Sequence, residues 1–391
     1  MRPARLLALA AVLLTATTVP VQTTAAQTTD DWRAVRSPDL KVFYELRGVV
    51  ATGDGNAVAV GTKFQDTAVV LRGNGERWNL DRRFPTRSGP NVAEHLFSVD
   101  ALGPDNVCAV GSTDFRPIAA HFDGTRWQGI PGLVSPEGSE FLDVTIASPS
   151  QVWAVANDLV IPQLSPQAQR WDGAQWTRFD LPHPFDVFVQ VNAIESLGPN
   201  DVWAVGSGRS GPTLDLLPIA WHWDGTAWSY VLMPRLGALQ VAPLDLVAVS
   251  PTELFMVGQK LVRLDDPGNL PAVERWDGTA WREVTGPDVP PGAFPHAVLS
   301  AVAPDGQGGI WAAGLTLAPE FVEPSFTSYF AHFSNGTWTV QIEPGGLQGE
   351  IRGLTQVPGS TSLWAVGVTR DDVGGCGPCQ GLIGLFGPSP R

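Results

Sequence analysis

Apolar residues run through this chain in short bursts set between polar turns. The run Asp201-Val202-Trp203-Ala204-Val205-Gly206 is followed, after an irregular stretch, by Trp221-His222-Trp223-Asp224-Gly225-Thr226-Ala227-Trp228. Apolar and aromatic runs of this length with period-two alternation, bounded by Gly, Pro, Asn and Asp, predict β-strands. An Asp-Gly pair between two aromatic-rich runs predicts a tight hairpin, because Gly takes positive φ without a Cβ clash. Beyond the first 26 residues no segment sustains a 3.6-residue period, so the pattern predicts an all-β chain.

The pattern repeats. The first run recurs as Ala57–Gly61, Val107–Gly111, Val152–Ala156, Val202–Gly206, Leu254–Gly258, Ile310–Gly314 and Leu363–Gly367. The hairpin recurs as Gly73–Trp78, Phe122–Trp127, Trp171–Trp176, Trp223–Trp228, Trp276–Trp281 and Phe333–Trp338. A fixed period of roughly fifty residues marks a propeller, solenoid or array. Each copy reads as four strands, A to D, with the first run as strand B and the hairpin joining C to D. The seventh outer strand is missing from the end of the chain, but Asp31-Trp32-Arg33-Ala34-Val35 matches the strand after each hairpin, as in Trp281-Arg282-Glu283-Val284. The expected architecture is therefore an all-β, seven-bladed β-propeller of four-stranded blades. It forms a single domain over 27–391, with blades beginning near residues 45, 95, 140, 190, 243, 297 and 350. Residues 31–36 close the ring by joining the last blade.

The A–B turns (Gly103-Pro104-Asp105, Ser148-Pro149-Ser150, Ser250-Pro251-Thr252) and the C–D turns are short. The B–C and D–A connections, such as 207–217, 259–271 and 315–328, are long. In a four-stranded blade the B–C and D–A loops share one face. That face is the expected binding surface, since binding residues concentrate on loops held by a rigid scaffold.

Composition adds a compartment. Residues 1–26 place Arg2 and Arg5 before an apolar run from Leu6 to Val19 and end in Thr24-Ala25-Ala26. This predicts a secretory signal peptide, too short and too soon interrupted for a membrane span. The mature protein is expected to be secreted and extracellular, a monomer with no membrane span. The net charge of −14 argues against nucleic-acid or anionic-membrane partners, which call for a basic footprint. Only Lys41, Lys63 and Lys260 are lysines among 25 basic residues, a bias that suggests a GC-rich bacterial genome.

These repeats resemble those of secreted bacterial, by composition actinobacterial, seven-bladed propellers, related in architecture to sialidase, kelch and galactose-oxidase propellers. Asp224-Gly225-Thr226-Ala227-Trp228 is similar to the sialidase Asp-box turn in the same C–D hairpin. The Asp-box, however, puts one residue between Asp and Gly and sets Thr directly before Trp. The kelch Gly-Gly doublet is absent. A sialidase would need an arginine triad and a Tyr–Glu pair, and galactose-oxidase chemistry two Tyr and two His; neither set can be assembled from Tyr44, Tyr230 and Tyr329. The resemblance implies the fold and leaves function open.

Most of the fifteen tryptophans fill recurring positions, which implies blade-to-blade packing; only Trp221 falls outside the scheme. His121, His222 and His332 share a position with Arg170 and Arg275, which favours a structural role. Cys376 and Cys379 in Gly375-Cys376-Gly377-Pro378-Cys379 have the spacing of a redox motif, but in a predicted B–C loop after Asp371-Asp372 they read as a loop-pinning disulfide. Cys108 replaces a strand-B aromatic and reads as a buried free thiol.

Counting back from each strand-B motif, strand A begins at Glu45, His95, Glu140, Gln190, Ala242, Ala297 (beside His296) and Glu350. This register is polar in five of the seven blades and predicts a ring of side chains at the mouth of the central channel. The candidate ligand-binding set is Glu45, His95, Glu140, Gln190, His296 and Glu350, with Trp221. The loop carboxylates Asp265, Asp266, Glu320 and Glu323 would suit Ca²⁺. Without an Asp-x-Asp-x-Asp-Gly loop no metal or other cofactor is assigned. No Gly-x-Ser-x-Gly elbow, His-Glu-x-x-His helix or phosphate loop occurs. The expected function is non-enzymatic binding of an extracellular glycan or protein through the long-loop face. The alternatives are a polysaccharide hydrolase or lyase using acids of that face, and a scaffold for protein–protein interaction.

Overall fold

The computed structural model describes residues 31–53, 55–64, 67–75, 77–85, 93–159, 164–211, 215–263, 268–288, 296–317, 326–369 and 380–388. These form seven four-stranded antiparallel sheets, a seven-bladed β-propeller. The innermost strands are Tyr44–Ala51, Glu94–Gly103, Ser139–Ser148, Phe188–Gly198, Gln240–Ser250, Ala297–Pro304 and Gly349–Gln356. They follow one another around a closed ring, and blade 7 packs beside blade 1.

The ring closes at the N-terminal strand Trp32–Ala34, which pairs with Gly381–Phe386 as the outermost strand of blade 7. Trp32 stands opposite Phe386, Arg33 opposite Leu385 and Ala34 opposite Gly384. The Val35 amide then bonds to the Ile383 carbonyl at 2.8 Å.

The recurring tryptophans join neighbouring blades. The first aromatic of an outer strand meets the strand-B aromatic of the preceding blade edge-on: Trp78 on Trp364 at 5.1 Å, Trp228 on Trp153 at 5.4 Å, Trp281 on Trp203 at 6.0 Å. Trp32 does the same in blade 7, meeting Trp311 of blade 6 at 5.6 Å and 88°. Each such ring buries about 150–250 Å² and prefers this edge-to-face geometry. Cys108 takes the corresponding place in blade 2, buried and free, its thiol pushed up to about 12 by burial and by Asp100.

The C–D turns are built as the Asp-Gly pairs predict. Asp123, Asp224 and Asp277 each accept the amide and hydroxyl of the Thr two residues on and the amide after it. Gly124, Gly225 and Gly278 sit at φ 90°, 95° and 87°, where a side chain would be strained.

Each innermost strand carries a β-bulge at the same register, which leaves one residue without a partner on strand B. The seven residues are Arg47, Phe97, Leu142, Asn192, Leu244, Ser300 and Arg352. The bulge explains why six of the strand-B runs end in glycine. A Cβ on Gly61, Gly111, Gly206, Gly258, Gly314 or Gly367 would lie 1.8 to 2.1 Å from a carbonyl oxygen of strand A.

Candidate functional site: the central channel

The seven bulges turn their extra residues toward the propeller axis, where they line a channel of about 370 Å³. Bulges re-aim single side chains without breaking the sheet, which is why they collect beside functional sites. Here one backbone device presents seven positions holding cationic, aromatic, amide, hydroxyl and aliphatic groups.

At the junction of blades 7 and 1 two arginines and two glutamates interlock. Arg352 reaches Glu45 at 2.6 Å across the blade boundary and Glu350 at 3.0 Å within its own strand. Arg47 donates its Nε to Glu45 at 2.8 Å, and its Nη2 lies 2.7 Å from the same oxygen. Its guanidinium also lies over Phe97 of blade 2, 5.1 Å from the ring centre. Burial pushes the Glu45 carboxyl up, but Arg352 and Arg47 outweigh it and hold the group below the usual carboxylate range. Burial likewise opposes the Arg352 cation, and its bonds to Glu350 and Glu45 override that.

The other predicted residues divide. His95 shares a bond of 3.2 Å with Thr62 of blade 1 and stacks parallel to Phe97. Glu140 accepts the Ser112 hydroxyl of blade 2 at 2.8 Å. In the next blade pair the equivalent contact reaches backbone, as Asn157 bonds both the amide and the carbonyl of Val191, beside Gln190. Gln190 keeps the expected register opposite Ser207.

Two predictions need correction. The register-equivalent of Glu45 and Glu350 in blade 6 is Val298, opposite Leu315, not Ala297. His296 precedes the strand and accepts the Asn269 amide at 3.1 Å, its pKa lowered by burial. Trp221 is wholly buried in the core between blades 3 and 4, its indole N–H donated to the Pro182 carbonyl at 2.7 Å, so it presents no surface to a ligand. Phe185, an aromatic of the long-loop face, is buried in the same core. The proposed disulfide of Cys376 and Cys379, the signal peptide, and Asp265, Asp266, Glu320 and Glu323 lie outside the described residues.

Sequence reasoning missed four acids. Asp143 and Asp245 directly follow the bulge of blades 3 and 5; Asp100 and Glu195 stand two residues further along in blades 2 and 4. Each accepts a backbone amide of the next blade: Asp100 from Ile146 at 2.7 Å, Asp143 from Ile194 at 2.8 Å, Glu195 from Ala248 at 3.3 Å and Asp245 from Val302 at 2.8 Å. The three aspartates also accept the amide of their own following residue. Burial pushes Asp100 up to about 6 and Asp245 up to about 8, with the Asp143 charge adding to both. Burial raises Asp143 as well. It raises Glu195 well above its ordinary value, and Asp100, Asp143 and Asp245 push it in the same direction. The available signal was an acid in the middle of each of four innermost strands.

The repeating histidines stand away from the channel. His222 and His332 lie flat on Trp203 and Trp311 and bond Asp201 and Asp305, each at 2.9 Å. His121 bonds Asn106 at 3.0 Å. Where arginine replaces histidine, Arg275 keeps the arrangement, paired with Glu253 at 2.7 Å and lying over Phe255. Among the described residues no group of three or more His, Cys, Asp or Glu could hold a metal ion, and no helix is long and apolar enough to cross a membrane.

No protein-family model matches the chain, and no curated protein matches it. Solved structures are similar to it. U3-55K superposes with a TM-score of 0.60 at 12% identity, covering 91% of this chain and 98% of that one. YCF48 from Cyanidioschyzon merolae gives 0.50 at 14% identity, covering 91% and 99%. The Aleuria aurantia lectin, in complex with α-methyl-L-fucoside, gives 0.47 at 12% identity, covering 81% and 96%.

Proposed function

We propose that this protein is a secreted, non-enzymatic propeller that binds an extracellular ligand, a glycan or a protein, where its long-loop face meets the mouth of the central channel. One observation supports this above the rest. A bulge shared by all seven blades turns side chains of five chemical kinds toward a single cavity. A ring needed only for folding would be served by seven alike. The arginine–glutamate cluster, with Phe97 beside it, supplies hydrogen bonds and an aromatic face in fixed positions, as a preorganised site requires.

The hydrolase reading draws on the raised carboxyls of the channel. Asp100, Asp143 and Asp245 nevertheless spend both oxygens on backbone amides, which suits fasteners between blades better than a proton shuttle.

The test is a screen of residues 27–391 against a glycan array and immobilised extracellular proteins, with Glu140→Gln and Glu350→Gln alongside. A ligand whose affinity falls about tenfold in either variant supports the reading, a loss of the size expected for a charged hydrogen bond. Binding indifferent to both positions, or turnover of a polysaccharide, overturns it.

A further inference from the structure

The channel lining sets two arginines, paired with Glu45 and Glu350, on one side and carboxyls on the other. Its charged lining side chains are Arg47 and Arg352, on blades 1 and 7, and Asp100, Asp143, Glu195 and Asp245, on blades 2 to 5. In a closed ring of seven, blades 3 to 5 stand across the axis from the 7–1 junction. Glu45 and Glu350 hold the arginines in place through Nε and Nη2 of Arg47 and Nη1 and Nη2 of Arg352. A guanidinium carries five N–H donors, so each arginine keeps donors beyond these pairs. On the far wall, the Asp245 oxygens accept one backbone amide each, from Leu246 and Val302, and a carboxylate oxygen has room for more than one donor. A volume of about 370 Å³ lies at the small end of the range for ligand pockets, about 300–1,000 Å³.

We propose that the channel binds a small zwitterion of the amino-acid type, its carboxylate on Arg47 and Arg352 and its ammonium among Asp143, Glu195 and Asp245. This rests on the reading that the channel mouth is a ligand entrance, and it names the chemistry that enters. A lone amine leaves the arginine donors unused, and a lone carboxylate meets four acids with nothing to offset them. A zwitterion satisfies both walls.

Proton linkage supplies an independent readout. The acids share the channel lining with Arg47 and Arg352; Glu45 and Glu350 pair with those arginines, His95 stacks on Phe97 of the lining, and the Cys108 thiol feels the Asp100 charge. Asp100 and Asp245 are partly protonated near neutral pH, and a bound ammonium favours the ionised form. Binding therefore releases protons, and affinity rises with pH between about 6 and about 8, the positions of Asp100 and Asp245.

The test is calorimetric titration of residues 27–391 with ω-amino acids of three to six carbons, each beside the amine and the carboxylic acid of equal length. At least one ω-amino acid is expected to bind about tenfold or more tightly than both controls, with heats in buffers of different ionisation enthalpy showing proton release. Asp245→Asn and Arg352→Gln each weaken it about tenfold or more. If either variant fails to fold, Arg47→Gln, which alters an ion pair within one strand, carries the same expectation. Absence of binding at millimolar concentration, an amine that binds as well as the zwitterion, or no proton release overturns the proposal. A glycan or protein that binds the unaltered chain while no ω-amino acid does so at millimolar concentration sinks this proposal and leaves the loop-face reading standing.

Discussion

Gln169, Trp221 and Glu274 occupy one position of strand C in blades 3, 4 and 5, opposite Ala154, Ala204 and Met256. The first two bond the loop arriving from the preceding blade, Gln169 through the amide and carbonyl of Leu133 and Trp221 through the Pro182 carbonyl. Glu274 is fully buried, and among the described residues neither carboxylate oxygen has a hydrogen-bond partner. Burial, then the cross-strand Glu283 carboxylate, push it up to about 9, against a smaller pull from Lys260. The unfolded chain ionises this group near the ordinary glutamate value of about 4.3, while the folded chain keeps its proton until about 9. Between these limits the native state binds more protons, so the group lowers stability progressively as pH rises, by at most about 1.4 kcal/mol per unit. Glu274→Gln removes the titration. Thermal melts should show the variant gaining a few degrees on the unaltered protein between pH 5 and pH 9, and a constant gap would refute the assignment. The same position shows why Trp221 misled. Recurrence flags a packing position when one residue type repeats, and here Leu71, Ala120, Gln169, Trp221, Glu274, Ala331 and Gly384 succeed one another.

Among the elements, the innermost strand carries most of the design. Its apolar runs and the turns that bound them were legible because strand pattern and turn chemistry are local properties. The terminal glycine of strand B was visible as a repeat, but its cause was not, since the bulge opposite adds a residue without disturbing the alternation on either side. Counting placed Ala297, one residue early, where pairing places Val298. The channel acids escaped because their partners are backbone amides of the next blade, about fifty residues away, and the sequence carries no mark of a backbone partner. Gly111→Ala tests the close approach, since its Cβ would sit 1.8 Å from the His95 carbonyl oxygen. Urea unfolding should show a loss of about 1–3 kcal/mol, the usual cost of overpacking. Blade 3 already carries Ala156 at this position, so Ala156→Gly should lack any comparable gain. If Gly111→Ala proves neutral, the glycine repeat needs another explanation.

At the scale of the whole molecule, a ring of seven blades must be fastened once, and the fastening unites the two ends of the described chain. The match of Asp31–Val35 to the strands after each hairpin made the closure legible, because a missing copy at one end and a spare strand at the other have one economical solution. The pairing of Trp32 with Phe386 is that solution in atoms. Only three residues form the ladder, so hydrogen bonds alone make a weak clasp. Most of its strength comes from Trp32, which is 2% exposed and packs against Trp311, Phe330 and Phe386 with ring centres 4.4 to 5.6 Å apart. On the other side of blade 7, Arg352 and Glu45 join it to blade 1. Trp32→Ala is therefore expected to cost about 3–5 kcal/mol, the range for emptying a buried aromatic site. Removing residues 27–35 should do more, because it also leaves Gly381–Phe386 as an open, apolar sheet edge. Size-exclusion chromatography should then show species larger than the full chain gives, joined at that edge, and adding a peptide of sequence 27–36 in trans should restore the full chain's elution volume. A truncated protein as stable as the full chain, and eluting at the same size per chain, would mean that blade 7 holds without its fourth strand, and that closure lies in the arginine–glutamate cluster instead.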